Sequence, residues 1–356
     1  MEPGILNDLI VNGVLAGLGS VLVFLPQITI LFAFILLLED SGYLPRAAFL
    51  LDNLMAKSGL SGRSFIPLLS SFACAVPAVM SARTINDPRE RLVTIAVAPL
   101  LTCSARLPVY ALIIAAVIPN RTVGGIFNLQ GLTLFILYLA GILSAALAAY
   151  IMKRLARMKG NVQQFPLLME LPTFRTPNFK HIMTSLWDRV KAFLKRAGTI
   201  IFALAVVLWG LVSWPQPPAG ATGAAIDYSL AGMLGHAIQP LFAPLGFTWE
   251  MCIAMIPGIA AREVVVAALG TVYAVSASSE DAVQNALIPI VHNNWGLPTA
   301  FAFLAWYVYA PMCAATLTVI KREIKSTKNM VMITGYLFLM AYFAAFVVYQ
   351  ISSRIL

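Results

Sequence analysis

Prolines set inside apolar runs of bilayer-crossing length restrict what this chain can fold into. Apolar stretches near 10–38, 91–118, 129–152, 198–214, 299–320 and 330–351 match the roughly 20 residues a helix needs to cross the hydrocarbon. Two others are less regular: 64–82 carries Pro67 and Pro77, and 230–275 carries Pro240, Pro244 and Pro257. With no water to satisfy freed backbone groups, non-helical chain survives at membrane depth only where protein shields it or a wet cavity adjoins it. The fold class expected is all-α, a polytopic membrane protein with broken or re-entrant helices at 64–82 and 230–275. Pro26, with Gly17 and Gly19 before it, leads us to expect a kink or break in the first run as well.

Composition agrees: 60% of the 356 residues are hydrophobic and only 11% charged, with mean hydropathy +0.84, outside the range of soluble domains. The opening Met1-Glu2-Pro3-Gly4 lacks the positive n-region of a secretory signal, so the first apolar run is expected to belong to the fold. The net charge of +9 comes from residues clustered beside spans, a pattern that sets membrane orientation and argues against nucleic-acid binding. Ten Lys and Arg between 153 and 196, and Lys321, Arg322, Lys325 and Lys328, place those two loops in the cytoplasm. The loops 215–229 and 276–298, without Lys or Arg, fall on the other side, as does the N-terminus.

Two segments have amphipathic, interfacial character. In 179–194, Phe179, Ile182, Leu186, Val190, Phe193 and Leu194 recur at helical spacing opposite Lys180, Thr184, Asp188, Lys191 and Lys195. The helix is expected to run on into the span at 198. Residues 43–58 read likewise, with Leu44, Ala47, Ala48, Leu51, Leu54 and Met55 set against Arg46, Asp52 and Lys57.

The halves of the chain echo each other. A proline-containing segment from Ile66 to Ile85 precedes Val97-Ala98-Pro99 and Cys103, and a comparable segment from Ile253 to Tyr273 precedes Tyr309-Ala310-Pro311 and Cys313. The first enters from the cytoplasm and the second from outside, so the repeat is expected to be inverted, as in transporters whose half-helices meet at the midplane. The expected division is a first membrane repeat over 1–152, a basic linker with an amphipathic helix over 153–197, and a second repeat over 198–356.

Candidate site residues follow from ligand chemistry. Cys74, Cys103, Cys252 and Cys313 all lie in apolar runs, so they are read as free thiols rather than a disulfide framework. Thiolates and the nearby thioethers of Met80 and Met312 suit a transition metal. The alternative for each thiol is a small buried hydrophobe, and Cys252, which has no repeat partner, is given that structural role. Glu263, in Ala261-Arg262-Glu263-Val264-Val265, is either a cation ligand or one half of an ion pair with Arg106. Glu39 and Asp40 end the first span, as a cytoplasmic mouth or as a solvated terminus. His181, His236 and His292 share no spacing and receive no metal role.

Five motifs together closely resemble the membrane domain of the FeoB ferrous iron transporters. They are Leu38-Glu39-Asp40-Ser41-Gly42-Tyr43-Leu44-Pro45-Arg46, Cys74-Ala75-Val76-Pro77-Ala78, Cys103-Ser104-Ala105-Arg106-Leu107-Pro108, Met169-Glu170-Leu171-Pro172 and Ala261-Arg262-Glu263-Val264-Val265. The resemblance runs nearly the whole length. It implies two Gate-type repeats carrying Fe(II) across a bacterial inner membrane, with Cys74, Cys103 and Cys313 along the pore. It also implies a GTPase domain, yet no Gly-x-x-x-x-Gly-Lys-Ser/Thr loop occurs in these residues, so no GTP site is expected in this chain. The expected form is a split subunit, a truncation or a GTPase-free paralogue that begins one span late. Its expected partners are the bilayer, a separate GTPase, a small accessory protein and other copies of itself. Ser71 and Ala73 replace the family's usual glycines before the first pore cysteine, altering how closely backbone approaches an ion.

Three readings stay open. The first is a divalent-metal permease for Fe(II), and the second a Gate-type nucleoside carrier. The third is a non-transporting scaffold that docks partners through its basic segment. No nucleophile and base stand at motif spacing, so no enzymatic activity is expected.

Overall fold

The computed structural model describes residue 10 and residues 14–57, 60–123, 127–158, 174, 176–215, 228–262, 264–273 and 280–355. Helix α1 (Ala16–Asp40) is continuous through Pro26, so the expected break does not occur. One proline withholds a single backbone donor, and the flanking turns carry the helix past it. Next to it, the Thr29 hydroxyl donates to Leu25 O at 2.6 Å. After a left-handed turn at Gly42 (φ 75°), α2 (Tyr43–Lys57) packs through Ala48, while Asp52 Oδ1 accepts the Gly62 N–H at 2.6 Å.

A hairpin of two short helices follows, α3 (Phe65–Ser71) and α4 (Ala75–Ser81), separated by residues 72–74. Then α5 (Pro88–Val97) starts on an Asp87 cap that accepts the Arg89 N–H at 2.9 Å. Past a 3-10 turn the chain is extended through residues 101–103, turns again, and continues as α6 (Leu107–Val117). A minimal antiparallel ribbon, β1 (Thr122–Val123) with β2 (Phe127–Asn128), leads into the long α7 (Leu129–Met158). The amphipathic α8 (Phe179–Phe193) passes through a π-helical turn, Leu194–Gly198, into α9 (Thr199–Ser213), as its sequence led us to expect.

The second half repeats the plan. Helix α10 (Leu230–Phe242) and its 3-10 extension bend by 108° into α11 (Trp249–Ala260), and after residues 261–263 comes α12 (Val264–Val272). Helix α13 (Glu280–Asn294) precedes α14 (Leu297–Tyr309), a break at 310–313, α15 (Ala314–Ile324) and the long α16 (Thr327–Ile355). Thus α3/α4 corresponds to α11/α12, α5/α6 to α14/α15 and α7 to α16. The stretches Pro88–Val117, Leu129–Leu155, Leu297–Ile324 and Thr327–Ile355 are each long and apolar enough to cross a membrane, and the protein is multi-pass. The sequence reading took 91–118 and 299–320 as clean spans. Both are interrupted, because Pro99 and Pro311 cannot donate to the helix and Pro108 opens a new one.

Three contacts fix the inversion. Arg83, in the turn after α4, forms a two-pronged hydrogen bond with Glu323 near the end of α15, one prong at 2.6 Å. That places the open end of the first hairpin beside the Lys321–Lys328 loop, here called the basic end. On α13, His292 Nδ1 meets Ala116 O at 2.8 Å, at the far end of α6. Three residues on, Trp295 Nε1 donates to Tyr273 Oη at 3.0 Å just past α12, so the second hairpin opens at the end opposite Arg83.

The cores interlock. One cluster unites Val109, Tyr110, Leu112 and Ile113 of α6 with Met251, Leu269, Phe303 and Tyr307 of the second half. The other unites Phe32, Leu36, Val79 and Val97 with Ile182, Leu186, Val190 and Phe193 of α8, and with Val319 and Ile320 of α15. Each broken span thus begins in its own repeat's core and ends in the other's. On α8 the buried stripe is Ile182, Leu186, Val190 and Phe193; Phe179, assigned to the same face from spacing, is 73% exposed. It stands in the helix's first turn.

Candidate functional site at the helix breaks

Exchange of half-helices puts the breaks at 101–103 and 310–313 on the seam between the cores. Each break leaves carbonyls without helical donors at membrane depth, and in each case an arginine supplies them. Arg106 is 0% exposed; Nη2 donates to Pro99 O at 2.9 Å, and Nη1 to Leu101 O at 3.1 Å and Leu100 O at 3.4 Å. Arg262 is 5% exposed; Nε donates to Met312 O at 2.9 Å and Nη2 to Ala310 O at 3.2 Å. A charge at mid-membrane costs about 2.5–3.5 kcal/mol on insertion scales. A hydrogen bond from a charged donor contributes about 1.5–3 kcal/mol, so two or three such bonds offset the burial. Among the described residues neither guanidinium has a carboxylate partner.

Three of the four breaks end on a cysteine that immediately precedes a helical segment. Cys74 precedes α4 (φ −155°, ψ 132°), Cys103 precedes the turn into α6 (φ −88°, ψ 162°) and Cys313 precedes α15 (φ −168°, ψ 96°). All are free thiols; Cys103 is buried, and Cys74 and Cys313 are half-buried. The Thr316 hydroxyl donates to Cys313 Sγ at 3.1 Å. Cys103 and Arg262 both lie within electrostatic range of Cys313. Ser104 Oγ donates to Ala73 O at 2.9 Å, joining the break at Cys74 to the break at Cys103. Met80, half-buried on α4, borders the same core as Cys74 and Cys313. The fourth break follows α11 and carries Arg262; the neighbouring Glu263 lies outside the described residues.

Close packing shapes the seam. A Cβ on Gly141 of α7 would stand 3.1 Å from both Leu100 O and Thr102 Oγ1, and one on Gly258 would stand 2.7 Å from Met312 Cε. A side chain at either position would press on its neighbours, the carbonyl and hydroxyl of the first break at Gly141 and the Val265 and Met312 side chains at Gly258.

Other candidates sit elsewhere. Glu39, at the end of α1, pairs with Arg189 at 2.9 Å, and Asp40 Oδ2 accepts the Asn178 N–H at 2.6 Å, so both carboxylates tie α1 to α8. Cys252 is buried in the core of the second half. His236 stacks on Trp249 with ring centroids 4.9 Å apart, and His181 is exposed. Among the described residues no three His, Cys, Asp or Glu side chains converge as a ready-made cage. The sequence reading gave Arg262 no role; its acceptors are main-chain carbonyls 48 and 50 residues away, which carry no side-chain signature.

The comparisons with known proteins also divide the chain into two halves. The family model described as "Nucleoside recognition", Gate, covers residues 21–117 and 194–327, one match in each half. The chain belongs to the Gate family. Residues 134–189 also match the model described as "Ferrous iron transport protein B C terminus". Similar curated proteins are each named "Fe(2+) transporter FeoB". One from Leptospira interrogans is 41% identical over 365 residues, 99% of this chain and 52% of the relative. One from Leptospira biflexa is 39% identical over 361 residues, 99% and 52%. One from Staphylococcus aureus is 40% identical over 348 residues, 98% and 49%. The chain therefore spans about half the length of the curated relatives it matches, and the motif-based resemblance to the FeoB family holds along it. No solved structure matches.

Proposed function

We propose that this Gate-family protein carries ferrous iron across the cytoplasmic membrane along the seam between its two cores. Cys103 and Cys313 are the paired ligands in this reading, with Cys74, Glu263 and Met80 supplying further sites on the path. The observation that carries it is the placing of cysteine at three of four helix breaks, where soft sulfur and irregular backbone adjoin. The names and identity of the FeoB relatives support Fe(II) as cargo. Glu39 and Asp40 tie α1 to α8 at the basic end, read as cytoplasmic, and in this reading they flank the mouth of the path. A GTP-binding partner, an accessory protein and self-association belong to the same proposal.

The test is anaerobic Fe(II) influx into liposomes containing the purified chain, beside a C103S/C313S variant whose folding is checked by thermal unfolding. Thiol-dependent influx is expected. Undiminished influx in the folded double variant would make the thiols structural and reject the path. The family description favours one competing cargo; a nucleoside carrier would show uptake competed by nucleosides and indifferent to thiol loss.

A further inference from the structure

Helix α8 carries a second apolar strip that the protein leaves uncovered. Phe179, Met183 and Trp187 are 73%, 48% and 68% exposed. Spaced four apart, they fall within about 80° of arc at ~100° per residue. Lys180 and Lys191 follow at the edge of that arc and Lys195 just beyond, all exposed. Among the described residues none of the three lysines has an acidic partner. The strip shares an edge with the buried stripe, Phe179 being the exposed first-turn member of that edge and Met183 and Trp187 lying beyond it, so α8 has a protein face, an apolar exposed border and a cationic flank.

Location decides what this surface meets. The helix passes through the π-helical turn into the apolar α9, and the N–H of its cap residue, Asn178, donates to Asp40, the last residue of α1. Both neighbours end there, so α8 stands where the hydrocarbon gives way to water. At that level, tryptophan and phenylalanine insert beside acyl chains while lysines reach phosphate oxygens. An anionic leaflet attracts such residues by about 1 kcal/mol per Lys near the surface.

We propose that the Phe179/Met183/Trp187 strip and its Lys180/Lys191/Lys195 flank form a binding surface for anionic phospholipid. Through Arg189–Glu39 and Asn178–Asp40, the lipid-held helix sets the position of the α1 terminus.

Fluorescence quenching in proteoliposomes tests it. The full chain is reconstituted in phosphatidylcholine/phosphatidylglycerol vesicles of one composition, with the bromines placed on either lipid. The Trp187 contribution is the difference between wild type and W187F. Quenching of that contribution by brominated phosphatidylglycerol is expected to exceed that by brominated phosphatidylcholine roughly twofold. The preference should vanish in K180Q/K191Q/K195Q and shrink at high salt in unmodified protein. Equal quenching by both lipids, or none, overturns the proposal, and the lysine flank would then face a protein partner or water.

Discussion

The two repeats solve the same problem by different routes. In the first, Arg106 reaches back five to seven residues to the carbonyls of its own broken span. In the second, Arg262 comes from the hairpin break and crosses to the carbonyls of a different span. A guanidinium satisfies a broken helix from any direction that brings its donors within reach, so the inverted symmetry preserves the break and not the position of the residue supporting it. The difference has a mechanical corollary. The second repeat's two breaks are joined by charge-assisted hydrogen bonds; for the first repeat the bond found is a neutral one, Ser104 to Ala73 at 2.9 Å.

Removing the guanidiniums should have the largest effect. R106Q and R262Q each strand buried carbonyls, and a loss of about 3 kcal/mol or more is expected from two or three such bonds, read as a lower unfolding temperature in detergent. R262Q should also free the hairpin from α15, seen as faster labelling of Cys313 by a membrane-permeant thiol reagent, while R106Q leaves the link between breaks intact. Equal labelling in the two variants would dissolve the distinction between local and remote support.

A smaller effect separates the hairpins. S104A removes one neutral bond, worth about 1 kcal/mol. It is expected to speed labelling of Cys74 with little change at Cys313. Unchanged Cys74 reactivity would show that packing on α15, not Ser104, holds the first hairpin.

The smallest concerns the pair that joins the repeats at the basic end. Because the Arg83 side chain is 54% exposed, R83Q should shift stability by no more than about 1 kcal/mol. Its hydrogen bond to Glu323 raises the Arg83 pKa above the ordinary value. The arginine's contribution is thus fully present at neutral pH and lost only as strongly alkaline pH crosses the folded pKa. An unfolding temperature in which the R83Q deficit disappears between pH 6 and 9 would contradict this.

Much of the fold was legible because span length and proline placement are one-dimensional signals. The irregular segments at 64–82 and 230–275 and the matched positions of Cys103 and Cys313 follow from them, and the amphipathic helices from Tyr43 and Phe179 follow from a third such signal, the 3.6-residue recurrence of apolar side chains. The breaks inside 91–118 and 299–320 did not, because Leu100, Leu101 and Met312 are as apolar as helix residues and a proline alone does not tell a kink from an interruption. Pro26 shows the converse, a proline the helix absorbs. The exchange of half-helices was also hidden: α6 is apolar almost throughout and α15 turns charged only in its last turns, so their apolar parts do not say which core they enter. What Arg106 and Arg262 do was illegible for a related reason, since their partners are backbone atoms common to every residue.

The backbone angles at Cys74, Cys103 and Cys313 have one more consequence. Each thiol belongs to one of the few extended residues through which the chain passes from one half-helix to the next. Anything that grips the sulfur therefore acts at the pivot itself, with almost no lever arm. Occupying such a site would change the stiffness of the joint more than its angle, so a bound ion would be registered as a hardened hinge before any half-helix had visibly swung.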